Sequence, residues 1–374
     1  MFFSDIVGHK DIKKYLINLS NEKKIIPSLM FLGEEGSGNL ALAVAFAQYL
    51  NCLDKKNGES CGVCTNCRKI SKLIHPDLHF VFPVNSGKKS LKDPVSDDYI
   101  NEWRQYFLPN PYVTENGWYD FIGIENKQGF ISATESRNII RKLNFKAFEA
   151  EYKIMIIWLP ERMNITAANI LLKIIEEPPE KTLFFLVANS TDNILPTIIS
   201  RQQILHLKKI DDVSLSEALI SKHNIPGSEI PSLLKIANGN YGKLLELLNC
   251  NDDDNVLLER FKKLTRSAYQ NNIQAIFELV EEFADLGRER QKRFLSYCLH
   301  MIRENVIMNF NKEDIVYLKK AEYEFSQNFH PFVIKNNEKI YKLFNDAFND
   351  TEANGNPRII MFDLCLKLHD LLKK

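Results

Sequence analysis

Short, wholly apolar runs separated by stretches of helical periodicity set the tightest limit on what this chain can fold into. Ser28-Leu29-Met30-Phe31-Leu32, Ile154-Met155-Ile156-Ile157-Trp158 and Leu183-Phe184-Phe185-Leu186-Val187 are each too short for a buried helix, and each precedes turn or helix-start residues. A strand that is apolar on both faces belongs to a parallel sheet covered on both sides. An α/β domain with helices between its strands is therefore expected over residues 1–208. Beyond it the strand-like runs stop. Residues 209–250 predict a small helical unit that ends with Ala237-Asn238-Gly239-Asn240-Tyr241-Gly242-Lys243, and Asn251-Asp252-Asp253-Asp254-Asn255 predicts an acidic linker. Over 255–374, Ile273, Ile276, Leu279, Val280 and Phe283 share one face at helical spacing, as do Phe294, Cys298, Met301 and Ile302. That pattern predicts an all-α domain. Residues 84–130 break the rhythm of the first domain with Gly, Pro, Asn and the aromatics Trp103, Tyr106, Phe107, Tyr112, Trp118 and Tyr119. The stretch is expected to be an insertion that packs on the surface through its aromatics, or alternatively a partner-binding loop.

At 374 residues the chain exceeds one ordinary core. Lys+Arg and Asp+Glu both number 48, and this zero net charge argues against a stand-alone nucleic-acid binder. No run approaches the roughly 18 apolar residues that cross a bilayer. Residues Met1 to Lys10 lack the basic start and apolar core of a signal peptide. A cytoplasmic protein without membrane contact is expected.

Gly33-Glu34-Glu35-Gly36-Ser37-Gly38-Asn39-Leu40 follows a predicted strand and opens a predicted helix, the context a phosphate-binding loop requires. Its glycines would let backbone N–H groups meet a phosphate at the helix N-terminus. A working loop then carries Lys, which neutralises the β/γ-phosphates, and Ser or Thr, which holds magnesium. Here Asn39 and Leu40 take those places. Taken alone, such a loop could equally be a glycine-rich turn. In loops of this kind a later apolar strand ends in acidic residues, yet the corresponding positions here are Trp158 and Leu159, and Glu161 lies beyond the strand end. Both halves of the phosphoryl-transfer apparatus are missing. No bound nucleotide is therefore assigned to the degenerate loop, no ATP turnover is expected, and the chain is not expected to be an enzyme by itself.

Four of the seven cysteines crowd into 52–67 as C-x8-C-x2-C-x2-C: Cys52, Cys61, Cys64 and Cys67. Thiolates at that spacing reach one tetrahedral ion, and a full set of soft sulfur ligands favours a closed, structural Zn²⁺ site. Unligated thiols or an iron–sulfur cluster remain the alternatives. The single cysteines Cys250, Cys298 and Cys365 suit buried small hydrophobes. Lys55, Lys56, Arg68 and Lys69 around the cluster could touch nucleic acid or simply be solvated.

With these pieces placed, the chain resembles the clamp-loader AAA+ family, and within it the delta-prime branch of DNA polymerase III. The resemblance rests on Val7-Gly8-His9-Lys10, the loop, the cysteine knuckle, His75-Pro76-Asp77 and the basic segment Arg137 to Lys142. It rests most specifically on the run from Ala167 through Leu171-Leu172-Lys173 to Pro179, the segment Phe184 to Asn189, and Ile194 to Gln202 with Ser200-Arg201. Hydrolysing relatives keep the Lys and acidic residues absent here, Gln202 replaces the usual Cys, and Lys243 stands where those relatives carry a sensor arginine.

The resemblance implies an AAA+ P-loop domain with a zinc knuckle, a helical lid domain and an all-α collar domain for oligomerisation. It implies a non-hydrolysing subunit that helps load the sliding clamp on primed DNA, partnered by gamma/tau and delta subunits. Polymerase activity would then be the holoenzyme's, by membership only. Arg201 would reach a neighbouring subunit's ATP as an arginine finger. Arg137 and Arg141 lie four residues apart on one helix face, so they could contact DNA phosphates or form a solvated face. Two rival readings stand beside this one. An active loader ATPase is opposed by Asn39, Leu40, Trp158 and Leu159, and a zinc-stabilised nucleic-acid-binding module by the zero net charge.

Overall fold

The computed structural model describes residues 1–22, 24–86, 91–124, 128–227, 230–249, 253–310, 316 and 318–373. Its contacts divide the chain into two compact units, Met1–Leu245 and Glu246–Lys374. Residues 209–245 thus group with the α/β sheet.

The first unit is built on five strands, β1 (Ser28–Leu32), β2 (Leu78–Val81), β3 (Lys153–Trp158), β4 (Thr182–Ala188) and β5 (Gln203–His206). All pair in parallel, in the order β2-β3-β4-β1-β5. The central register sets Ser28 beside Phe184 and Leu32 beside Ala188, with Lys153 beside Thr182 and Trp158 beside Val187. Alternate side chains of a strand leave opposite faces. Phe31, Ile156 and Phe185 enter one buried cluster, while Met30, Met155 and Phe184 enter another. This two-sided burial is why the strands read as unbroken apolar runs.

Helices α1 (Lys10–Asn21), α2 (Asn39–Leu50), α3 (Thr65–Ser71), α4 (Ile100–Phe107), α5 (Glu115–Ile122) and α6 (Ala133–Leu143) precede β3 or link the strands before it. After it come α7 (Ile165–Glu176), α8 (Pro196–Ile199), α9 (Asp212–His223), α10 (Ile230–Ala237) and α11 (Tyr241–Asn249). Helix α2 is buried at every residue, because the sheet covers one side and α3 and the N-terminal turn cover others. Helices α6 and α7 cover the opposite face through Ile139, Leu143, Leu171 and Ile175. Their starts are fixed by Ser132 and Asn164, whose side chains accept from Glu135 N and Ala167 N.

The expectation of a surface insertion needs correction: its aromatics are integral to this core, because rings of that size remove most apolar area from water when buried. Trp103, Phe107 and Trp118 are fully buried in the same cluster as Phe82 and Trp158. Within the insertion, residues 87–90 and 125–127 lie outside the described residues.

The second unit is helical: α12 (Asp253–Gln270), α13 (Ile273–Ala284), α14 (Arg288–Met308), α15 (Lys320–Val333), α16 (Asn337–Glu352) and α17 (Pro357–Lys373). Its core gathers Phe261, Ile276, Phe283, Phe294, Met301, Phe344 and Leu368, together with the buried Cys298 and Cys365. Cys250 lies outside the described residues. The acidic linker needs correction: Asp253 opens α12, so Asp253, Asp254 and Asn255 are helical, while Asn251 and Asp252 lie outside the described residues. Carboxylates in a first helical turn oppose the positive end of the helix dipole, and a short acidic run can therefore start a helix as well as separate two. Among the described residues, no helix is long and apolar enough to cross a membrane.

Candidate functional site

The glycine loop lies between β1 and α2. Gly36 and Gly38 adopt φ of +77° and +89°, and Gly38 caps the N-terminus of α2. That is the backbone shape of a phosphate cradle, but its side chains have turned inward. The Asn39 amide donates to Gly33 O at 3.2 Å and to Ala188 O at 3.4 Å, and its Oδ1 accepts from Leu40 N at 2.8 Å. A side chain spent on the loop's own backbone brings no positive charge to a phosphate. Leu40 is buried in the core, where a magnesium-binding hydroxyl would otherwise stand.

The strand-end positions tell the same story. Trp158 is 2% exposed and packs its ring 5.1 Å from that of Trp103. Leu159 is fully buried, and its φ of 58° bends the chain sharply after β3. The bend carries Glu161 to the tip of β4, where its carboxylate accepts from Asn189 N at 2.9 Å. Burial pushes that carboxyl up to about 7, against the pull of this hydrogen bond. Next to it Arg162 pairs with Glu115 of the insertion at 2.7 Å.

Several groups that the sequence assigned to other segments close over the loop. His9 Nε2 donates to Ser37 O at 2.8 Å, Asn240 Nδ2 to Glu35 O at 2.5 Å, and Gly242 N to Gly36 O at 2.9 Å. Tyr112 from the insertion lies against Gly38: a Cβ on that glycine would come within 2.8 Å of the ring. No spacing rule identifies such contacts, since they join segments from 28 to 205 or more residues apart.

The four cysteine sulfurs lie within 4.8 Å of one another. Zinc–sulfur bonds of about 2.3 Å put tetrahedral sulfurs about 3.8 Å apart, and Cys61 Sγ and Cys67 Sγ are at 4.0 Å. Cys61 N, Cys64 N and Cys67 N donate to Cys52, Cys61 and Cys64 sulfurs at 3.1, 3.3 and 3.4 Å. Backbone donors from Cys64 and Val63 bring the Cys61 thiol down to about 6, whereas burial pushes Cys52 and Cys67 up. The donor set fits a structural Zn²⁺. The knuckle also fastens the N-terminus, for the Glu59 carboxylate accepts from Phe3 N at 3.1 Å and Ser4 N at 2.7 Å. Of the basic residues around it, Lys56 pairs with Asp54 at 2.8 Å and Lys69 with Glu149 at 2.6 Å.

His75-Pro76-Asp77 has a structural use. The Asp77 carboxylate accepts from Phe148 N, Glu149 N and Ala150 N at 2.6, 2.8 and 2.9 Å. Burial pushes its carboxyl up, but these bonds prevail and hold it below its usual range.

Arg201 follows α8 on the surface. Its Nη1 donates to Thr197 O at 2.7 Å and its Nη2 lies 3.1 Å from Glu176, while its buried Nε has no partner among the described residues. Arg137 and Arg141 are exposed on α6, and Arg141 donates to Asn138 Oδ1 at 2.6 Å. Lys243 is exposed in the first turn of α11.

A parallel α/β sheet with a glycine loop at the start of its buried helix, and a four-sulfur cluster inserted after that helix, defines the class of α/β domain to which the chain belongs. The profile described as "DNA polymerase III, delta subunit" matches residues 8–211, more than half of the chain. The chain belongs to this family and thus to the clamp-loader AAA+ proteins of DNA replication. It is similar to the DNA polymerase III subunit delta' of Bacillus subtilis, with 25% identity over 305 residues, 81% of this chain and 78% of the relative. It is also similar to the DNA polymerase III subunit tau/gamma of Haemophilus influenzae, with 24% identity over 253 residues, 67% of this chain and 30% of the relative. The delta' subunit of the same organism is 28% identical over 221 residues, 59% of this chain and 54% of the relative. The chain therefore spans about a third of the tau/gamma relative's length, and these identities define the family rather than a branch of it.

Proposed function

We propose that this chain is the non-hydrolysing, delta-prime-like member of a clamp loader, acting on the ATP of a neighbouring subunit rather than on its own. The observation that carries the reading is the paired loss at the loop and the strand end. Asn39 is bonded to Gly33 O and Ala188 O, and Trp158 is packed on Trp103. Neither position can neutralise a triphosphate or hold magnesium, so transition-state charge would go unopposed.

Arg201 is the group offered outward. Besides the Thr197 carbonyl, a single exposed carboxylate, Glu176, pairs with it. A neighbour's triphosphate, with several charges and a geometry matched to the guanidinium fork, outcompetes one carboxylate. Arginine fingers in GTPase systems are worth about 10³–10⁵ in rate. The partners in this reading are gamma/tau-type and delta subunits, the sliding clamp and primed DNA. The second unit serves as the oligomerising collar, and residues 209–250 serve as a lid. Zn²⁺ has a structural role.

Reconstitution with the remaining loader subunits, clamp and primed DNA tests this. ATP turnover should require the chain and fall at least about a hundredfold with Arg201→Ala; unchanged turnover would overturn the reading. In the same assembly Arg137→Ala/Arg141→Ala should weaken primer-template binding and flatten its salt dependence by about one to two units of slope. An unaltered slope would return both arginines to the solvated surface.

A further inference from the structure

The insertion is the one large feature that the loader reading does not use. Its position suggests what it does. From within residues 84–130, Tyr112 reaches the glycine loop and touches three separate segments at once. Its hydroxyl accepts from Val7 N at 2.8 Å in the N-terminal element. Its ring covers Gly38, the residue that caps α2. The edge of that ring meets Tyr241, the first residue of α11, with centroids 4.7 Å apart and planes at 72°. Tyr241 in turn is bonded through its hydroxyl to His223 of α9 at 2.9 Å. Both tyrosines are buried, at 5% and 3% exposure.

We propose that Tyr112 is an internal substitute for a nucleotide: it covers the helix end where a phosphate would be met and bridges the N-terminal element, the glycine loop and α11. In a working loop the backbone amides at a helix N-terminus and a bound anion hold such segments together. Here an aromatic ring and a hydroxyl from the same chain hold them. The bridge is reinforced around its rim. Glu115 N, in the first turn of α5, donates to the Glu35 carboxylate, while Asn240 and Gly242 take the loop carbonyls of Glu35 and Gly36. The anchor of the bridge is equally deep, because Trp118 of the insertion packs against Trp103, which in turn meets Trp158. The residue standing at the lost acidic position thus helps seat the segment that fills the lost nucleotide's place. The consequence is a closed arrangement that needs no ligand and cannot be released by hydrolysis. The inference depends on the loss of phosphate chemistry, but not on the loader assembly or on Arg201.

Amide hydrogen exchange on the full chain, without partners, tests it. Tyr112→Ala should speed exchange about tenfold, the equivalent of roughly one net hydrogen bond, both around Val7 and over 239–244. Exchange in α6 and α7, on the far face of the same sheet, should stay as in wild type, which shows that the first unit is folded. Tyr112→Phe keeps the ring and should speed exchange at Val7 alone. Addition of magnesium and ATP to the wild type should protect neither region. Unchanged exchange at Val7 in Tyr112→Phe, or at 239–244 in a folded Tyr112→Ala, overturns the proposal. So does protection of the wild type by ATP. Failure of Arg201→Ala in the loader assay would leave these outcomes untouched, so the two ideas fall separately.

Discussion

Asn39 and Trp158 show how side chains at a glycine loop and a strand end can be taken up by contacts inside the protein. Beside them Glu161 is a largely buried carboxyl. That residue also supplies a pH signature. Its folded-state value near 7 lies above the roughly 4.3 of an unfolded glutamate. The folded protein therefore holds an extra proton between these values, and stability falls as pH rises through that window. Glu161→Gln can still accept from Asn189 N but carries no charge. It should raise stability at pH 8 by on the order of 1–3 kcal/mol and change little near pH 4. Equal melting curves for the two proteins at pH 8 would show that Glu161 is not held against its charge. The identities at positions 39, 40, 158 and 159 were legible in the sequence as departures from a phosphate-binding loop. Where their side chains went was not legible, because each partner (Gly33 O, Ala188 O, Trp103) is brought close only by the fold.

At the scale of elements, periodicity was a good guide wherever one environment covers a whole segment. The three apolar runs are β1, β3 and β4, buried on both faces. Strand β5 was harder to see because its burial is only partial, and its polar residues Gln203 and His206 interrupt the pattern. The knuckle was fully legible from spacing, since C-x2-C units place sulfurs on one centre whatever surrounds them. Purified chain should contain about one zinc ion, and removing it with a strong chelator should lower the Tm of the first unit by several degrees. Cys64→Ser should reproduce the effect by removing one sulfur ligand alone, because a serine hydroxyl can still cap α3 through Cys67 N. An unshifted melting curve after complete metal removal would reduce the knuckle to a self-supporting turn. The insertion was the least legible element. Its aromatics announced burial, but only three-dimensional packing joins Trp103 and Trp118 to Phe82 and Trp158.

The whole molecule consists of two units, each with its own core, and the division between them falls inside α11. A chain ending at Asn249 keeps α11 entire and retains every residue of the sheet and the knuckle. It should fold, bind zinc and show the same exchange at Val7, yet fail to co-elute with partner subunits if the second unit is the collar. Persistence of the complex would move the assembly surface onto the first unit. The helical spacing of apolar residues such as Ile276, Leu279 and Phe283, with the absence of strand-like runs beyond β5, correctly marked the second unit as helical. Sequence alone could not say that residues 209–245 group with the sheet, because the bonds that join them, such as Ile210 N to Gly239 O and Gly242 N to Gly36 O, are backbone to backbone and leave no residue signature.

The contact between Gly36 and Gly242 also changes what the loop's glycines mean. A Cβ on Gly242 would approach Gly36 Cα to 2.6 Å, and one on Gly36 would strike Asn240. Gly36 must therefore fit another piece of the same backbone, about two hundred residues away, whether or not a ligand ever meets it. A glycine signature in a silent relative can therefore record an inherited joint rather than a residual affinity, and the two positions form a single unit of permissible change.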